Sequence, residues 1–168
     1  MDERNGNSRN GIKGIGEIAM RIEIAEREVM EKIYAVTALQ GYVNLPERER
    51  ALLQEDQSEG LTELVRDAFA EVVIGLMPRV EGYEESESGT AGTMWIELKE
   101  AYAGAEIVRP AIERIMAGVM ANMVLGAIYE SVGEGAGYEQ RWERGMEMMR
   151  ETIDSIGGGG LPRLLGWR

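Results

Sequence analysis

Sixteen residues in the second half of the chain, IMAGVMANMVLGAIYE at 115–130, carry no charge until their last letter, although 29% of the 168 residues are charged. A helix this apolar has to be covered on every side, by lipid, by its own fold or by a second copy. Its charge-free part, Ile115–Tyr129, is 15 residues long, which is about 22 Å of helix. A bilayer core of about 30 Å takes about 20 apolar residues. Extension toward the N-terminus brings in Arg114, Glu113 and Arg109, each unfavourable in lipid. The run is therefore read as covered by protein, and no membrane partner is expected. Within it Gly118, Asn122 and Gly126 form a stripe at four-residue spacing. Glycine costs a helix about 1 kcal/mol relative to alanine, so two in one stripe point to a second backbone close by. That backbone belongs either to the chain's own core or to a neighbouring subunit. Asn122 needs a hydrogen-bond partner if it is buried there.

Composition narrows the chemistry. A chain of 168 residues has the size of one domain, large enough to bury about 70% of its unfolded surface. With neither cysteine nor histidine, it has no disulfide framework and lacks the usual ligands of zinc and haem. The 30 Asp and Glu could supply a carboxylate-only site, but the Asp-x-Asp-x-Asp-Gly calcium loop is absent. No metal and no cofactor are expected. The formal charge is −12, and residues 1–16 and 157–168 sum to +1 and +2, which leaves −15 on the body from 17 to 156. A surface of that sign repels a phosphate backbone, so no sequence-specific nucleic acid is expected as a partner.

Residues 1–16, MDERNGNSRNGIKGIG, are polar and glycine-rich and read as a disordered arm without a secretory signal. The GIKGIG segment lacks both the spacing and the preceding strand of a dinucleotide loop. From Glu17 to about Leu39, Ile18, Ile22, Ala25, Val29, Ile33 and Val36 recur at three- and four-residue steps, which predicts one helix ended by Gly41. An acidic connection with room for a helical turn around Ala51–Gln54 follows. Leu61, Leu64, Val65, Ala68, Phe69, Val72, Val73 and Leu76 predict a second helix, with Asp56 or Ser58 as cap and Pro78 as stop. The period then changes to two: RVEGYEESE and TMWIELK flank SGTAG and predict a β-hairpin over about 79–99, the only sheet expected. Its first strand is acidic at Glu81, Glu84, Glu85 and Glu87, so one side is solvated or faces something basic. Trp95, out of phase with Met94, Ile96 and Leu98, is a candidate partner contact. A third helix over about 106–131 opens near Pro110, and a fourth carries Tyr138, Trp142, Met146, Met149, Ile153 and Ile156 on one side. The fold class is mainly α: a four-helix bundle-like domain over 17–156 with a β-hairpin inserted between helices 2 and 3.

Paired carboxylates are the one catalytic route left open. The acidic residues sit beside Arg or Lys at helical spacing, as surface ion pairs do, and Ser86, Ser88 and Ser155 have no base to activate them. No enzyme is expected. The tail LPRLLGWR hangs on Gly157–Gly160. Leu161, Leu164, Leu165 and Trp167 are costly to expose, so the tail either folds back on its own domain or docks on a neighbour, with Leu164, Leu165 and Trp167 as contacts.

Four helices, a hairpin after the second, and a small-residue-rich third helix closing in ANMVLGAIYES before GYEQRWERGMEMMRETI resemble the small helical head–tail connector (adaptor) proteins of tailed phages and prophages. Tyr129 and Glu130, the break Gly133–Gly137 and Tyr138 occupy that family's pattern of an aromatic-acidic pair, a short break and an amphipathic helix. The similarity covers the layout of about residues 17–156; the four-glycine spacer and tryptophan tail depart from it. It implies a structural subunit that assembles with copies of itself into a ring and meets portal or neck proteins, in the virion neck and, before assembly, the host cytoplasm. The alternative is a small acidic DNA mimic that inhibits a host DNA-binding protein.

Overall fold

Alternation, not helical periodicity, decides the first element. A computed structural model describes residues 18–40, 46–47, 50, 53, 58–85, 92–101 and 105–157. In it Ile18–Ala25 is a strand, β1, and only Glu26–Gln40 is helix, α1. Met20, Ile22 and Ile24 are at most 1% exposed, while Arg21, Glu23 and Ala25 face solvent. The single helix expected over 17–39 is therefore corrected. Ile18 and Ile22 fit both periods and Ala25 only the helical one, but Met20 and Ile24 would fall on the wet side of a helix, whereas a strand puts them in the core.

The second helix, α2, spans Ser58–Leu76, and a 3₁₀ turn at Met77–Arg79 carries Pro78 near its start. Strands β2, Val80–Glu85, and β3, Thr93–Ala101, form the expected hairpin. The expectation of a lone hairpin is also corrected. β3 is the centre of a three-stranded antiparallel sheet in the order β1-β3-β2, with Ile22 opposite Ile96 and Ile24 opposite Met94. A central strand has two edges to pair, and β1 supplies the second. Met94, Ile96 and Leu98 lie buried beneath the inner face. The free edge at β2 carries Glu81, Glu84 and Glu85, all exposed, and charge on an edge discourages further pairing.

The third helix, α3, spans Arg109–Glu130 with Pro110 in its first turn, and α4 spans Ala136–Gly157. Helix α3 packs against α1, α2, α4 and β1, so it lies at the centre of the fold. Ile112, Met116, Ala117, Val119, Met120, Ala121, Val124, Leu125, Ile128 and Tyr129 are buried on it. By length and composition it could cross a membrane, with a mean hydropathy of 1.5 over its most apolar window, half of which the fold itself buries. Among the described residues the architecture is mainly helical, with four helices and a small three-stranded sheet.

Between α1 and α2, the Arg50 N–H donates to the Pro46 carbonyl at 3.0 Å and the Leu53 N–H to that of Arg50 at 3.2 Å. The expected turn thus begins a few residues early, and Leu53 is buried at its end. The arm 1–16, the cap at Asp56 and the tail residues beyond Gly157 lie outside the described residues.

Truncating Ile22 to Ala is expected to cost about 2–5 kcal/mol, as for a fully buried aliphatic side chain, and Arg21→Ala less than about 1 kcal/mol. Urea denaturation that includes Met20→Ala checks the strand, on which it should be costly like Ile22→Ala; on a helix with Ile22 inward, Met20→Ala would be mild.

Candidate functional site

Small residues decide how closely the elements around α3 approach. A Cβ on Gly145 of α4 would stand 2.5 Å from Val119 Cγ2 of α3, so glycine there lets the two helices close up. At the far end, a Cβ on Gly135 would lie 2.9 Å from the Gly126 carbonyl oxygen and 3.1 Å from Glu130 Cα. The turn after α3 thus lies on α3's last turns, and Gly133, at φ 76°, occupies the left-handed region that reverses the chain. Tyr129 and Tyr138 meet across this turn with ring centroids 5.5 Å apart.

The stripe Gly118, Asn122 and Gly126 therefore divides. At Gly126 the approaching backbone is the chain's own, with Tyr138 Cβ and the Gly135 carbonyl oxygen nearest to where a Cβ would be. At Gly118 a Cβ would meet nothing within 4 Å. Asn122 is half-buried and satisfies itself, its Nδ2 donating to the Gly118 carbonyl at 2.8 Å. With Ala111 exposed and Ile115 half-buried, these residues make a partly open strip along the first two-thirds of α3, flanked by the exposed Arg114.

Trp95 lies on the outer face of the sheet. Its ring sits 3.8 Å beneath the Arg21 guanidinium, and its Nε1–H donates to Glu84 Oε2 at 3.0 Å. Local partners on both neighbouring strands thus hold the half-buried indole. Leu164, Leu165 and Trp167 lie outside the described residues. Of the acidic strand, Glu84 is engaged by Trp95, and Glu87 lies outside the described residues.

Three features escaped the sequence reading. Trp142, on the apolar side of α4, is half-buried beside a groove of about 330 Å³ between α2, α3 and α4, whose walls are Leu64, Ala68, Met123, Val124, Ala127 and Trp142 with Asp67 and Glu71 at the α2 side. A second hollow of about 460 Å³ shares Met123, Ala127 and Trp142 and reaches Glu130 and Glu139. Secondly, Glu26, 9% exposed at the start of α1, takes Arg66 Nε of α2 at 2.8 Å, and its N–H donates to the Gly92 carbonyl at 2.7 Å. The hydrogen bond that Arg66 donates to Glu26, then the Glu26 charge, and then Glu85 and Glu63 raise the Arg66 pKa above its ordinary value, against the effect of burial. Thirdly, Arg79 grips Asp154 in bidentate fashion, Nε to Oδ1 at 2.5 Å and Nη2 to Oδ2 at 2.6 Å. This ties the turn after α2 to the end of α4.

Among the described residues no cluster of carboxylates gathers closely enough to hold a metal ion. The Ser155 hydroxyl donates to the Thr152 carbonyl at 2.6 Å on the surface of α4. The chain matches no family model, no curated protein and no solved structure.

Two measurements test this geometry. Gly145→Ala is expected to destabilise by about 1–3 kcal/mol through overpacking, whereas Gly118→Ala is expected to stabilise the isolated chain by up to about 1 kcal/mol. Combining Gly145→Ala with Val119→Ala should reveal a coupling of about 0.5–3 kcal/mol in a double-mutant cycle. The Arg79 hydrogen bond lowers the Asp154 pKa below its usual value, a shift that burial opposes and the Arg79 charge reinforces. The stability it brings is present above the unfolded pKa of about 3.9 and is lost as pH falls through the lower folded value. Asp154 is half exposed, so Asp154→Asn should cost no more than about 1 kcal/mol at neutral pH. That difference should disappear when melts are repeated well below the folded pKa.

Proposed function

We propose that the chain is a structural, non-catalytic subunit of a phage or prophage neck, a head–tail connector or adaptor that closes into a ring through contacts with copies of itself. The observation that carries this reading is the partly open strip on α3. The central helix is only partly covered along Ala111, Ile115, Gly118 and Asn122, with open space where a Gly118 side chain would be. A helical strip of small and apolar residues is better covered than wetted, and a ring of like subunits covers it in every copy.

On this reading the four helices act as a bundle-like unit around α3, with the hairpin of β2 and β3 carried between helices 2 and 3. Two details support the resemblance to the connector family: α3 ends in Tyr129 and Glu130, and a break precedes α4, at residues 131–135 rather than at Gly133–Gly137, since Gly137 already belongs to α4. Portal and neck proteins are the partners this implies, and the virion neck the location, with host cytoplasm before assembly. The net charge of the body would keep DNA from adhering to the lumen of such a ring. The DNA-mimic reading draws no support from the surface, because Arg21, Arg27, Arg66, Arg79 and Arg109 each pair with a carboxylate and interrupt any phosphate-like row.

Native mass spectrometry and electron microscopy at high concentration, alone and with a portal protein, are expected to give a closed multimer. Gly118→Leu, which fills open space in the isolated chain, should abolish that multimer and leave the melting temperature nearly unchanged. A strict monomer under all these conditions overturns the proposal.

A further inference from the structure

The groove beside Trp142 and the last eight residues are complementary in three respects. The first is chemical. Leu64, Met123 and Trp142 give the groove an apolar floor, and the segment LPRLLGWR brings three leucines and a tryptophan, the anchor residue that such pockets select.

The second is charge. Asp67 and Glu71 stand on the α2 wall, and Glu130 and Glu139 border the adjoining hollow. The segment carries Arg163 and Arg168 and no acidic side chain. Opposite signs at a groove rim orient a peptide and speed its capture.

The third is reach. Helix α4 ends at Gly157, 15 residues past Trp142, which is about 22 Å along the axis. After a reversal at Gly158–Gly160, seven extended residues, 161–167, span about 23–25 Å, which brings Trp167 level with Trp142 and lays Leu164 and Leu165 along the way back. The way back is marked by the seam between α2 and α4. At one end Arg150 Nε donates to the Gly75 carbonyl at 3.1 Å, and at the other Leu64 and Trp142 share the groove.

We propose that residues 161–168 seat in the α2–α3–α4 groove of their own chain, with Trp167 against the apolar floor at Trp142 and Arg163 and Arg168 toward its acidic rim. The short tether decides between the chain's own groove and a neighbour's. It holds the segment at an effective concentration of about millimolar, far above that of a second copy in dilute solution. The seated tail covers Met123 and Trp142, so the free groove is not a standing apolar patch.

The absence of cysteine from the sequence makes the test direct. In the full-length chain Ala127→Cys, at the exposed wall of the groove, is combined with Gly166→Cys, which leaves the leucines and Trp167 in place. A control pairs Gly166→Cys with Lys99→Cys, exposed on the sheet. Under mild oxidation of dilute protein, the groove pair should close an intramolecular disulfide at least about tenfold faster than the control, as expected for a seated rather than a freely roaming tail. Adding Trp167→Ala, or Asp67→Asn with Glu71→Gln, should bring the groove pair down toward the control rate. Equal rates for the two pairs overturn the proposal, and so does a disulfide-linked dimer as the main product, which would give the groove to a second copy's tail.

Discussion

A helix with no polar face forces the rest of the chain to arrange itself around it. Helix α3 meets three helices and a strand, and each contact removes from water a side of α3 that could not stay wet. Side-chain size sets the closeness of the approach. Gly145 of α4 admits the Val119 side chain of α3, and Gly135, in the turn before α4, admits the carbonyl of Gly126, so α3 is approached closely at two points along its length. The sheet covers part of what remains by offering Met20, Ile22, Ile24, Met94, Ile96 and Leu98 as a single apolar face.

Polar contacts act at the joints of this arrangement. Glu26 follows β1 without an intervening loop, and it fixes that corner by bonding to Gly92 through its backbone and to Arg66 through its side chain. Sheet, α1 and α2 are thereby registered at one partly buried carboxylate. Arg79 and Asp154 do the corresponding task at the other end of α2, in a more exposed setting where the pair adds positional definition more than energy.

Most helices were legible from spacing alone because their apolar residues repeat over four or more turns; α2 from Leu61 to Leu76 leaves no other period possible. The first strand was not. Its Ile18, Ile22 and Ala25 continue the helical spacing of Val29, Ile33 and Val36, whereas Met20 and Ile24 break it. What would have tipped the reading was β3, whose inward row at Met94, Ile96 and Leu98 implied a second neighbour as well as β2. The glycine stripe announced a close backbone, and at Gly126 there is one, but spacing within one helix cannot say whose backbone it is. Trp142 was legible as part of an apolar stripe, yet its half-open setting depends on how far Leu64 and Ala68 of α2 stand from Met123, a tertiary distance that leaves no local mark.

The pairing of β1 with β3 also governs the order in which the molecule can be made. β2 and β3 are neighbours in sequence and can zip as soon as both have left the ribosome, whereas Ile24 has to wait for Met94, seventy residues downstream. Until then the first strand emerges with Met20, Ile22 and Ile24 unsheltered, and closing its loop carries the entropic toll of a long-range contact. The nascent chain therefore spends its early life with a sticky leading segment, and chaperone engagement during translation should centre there.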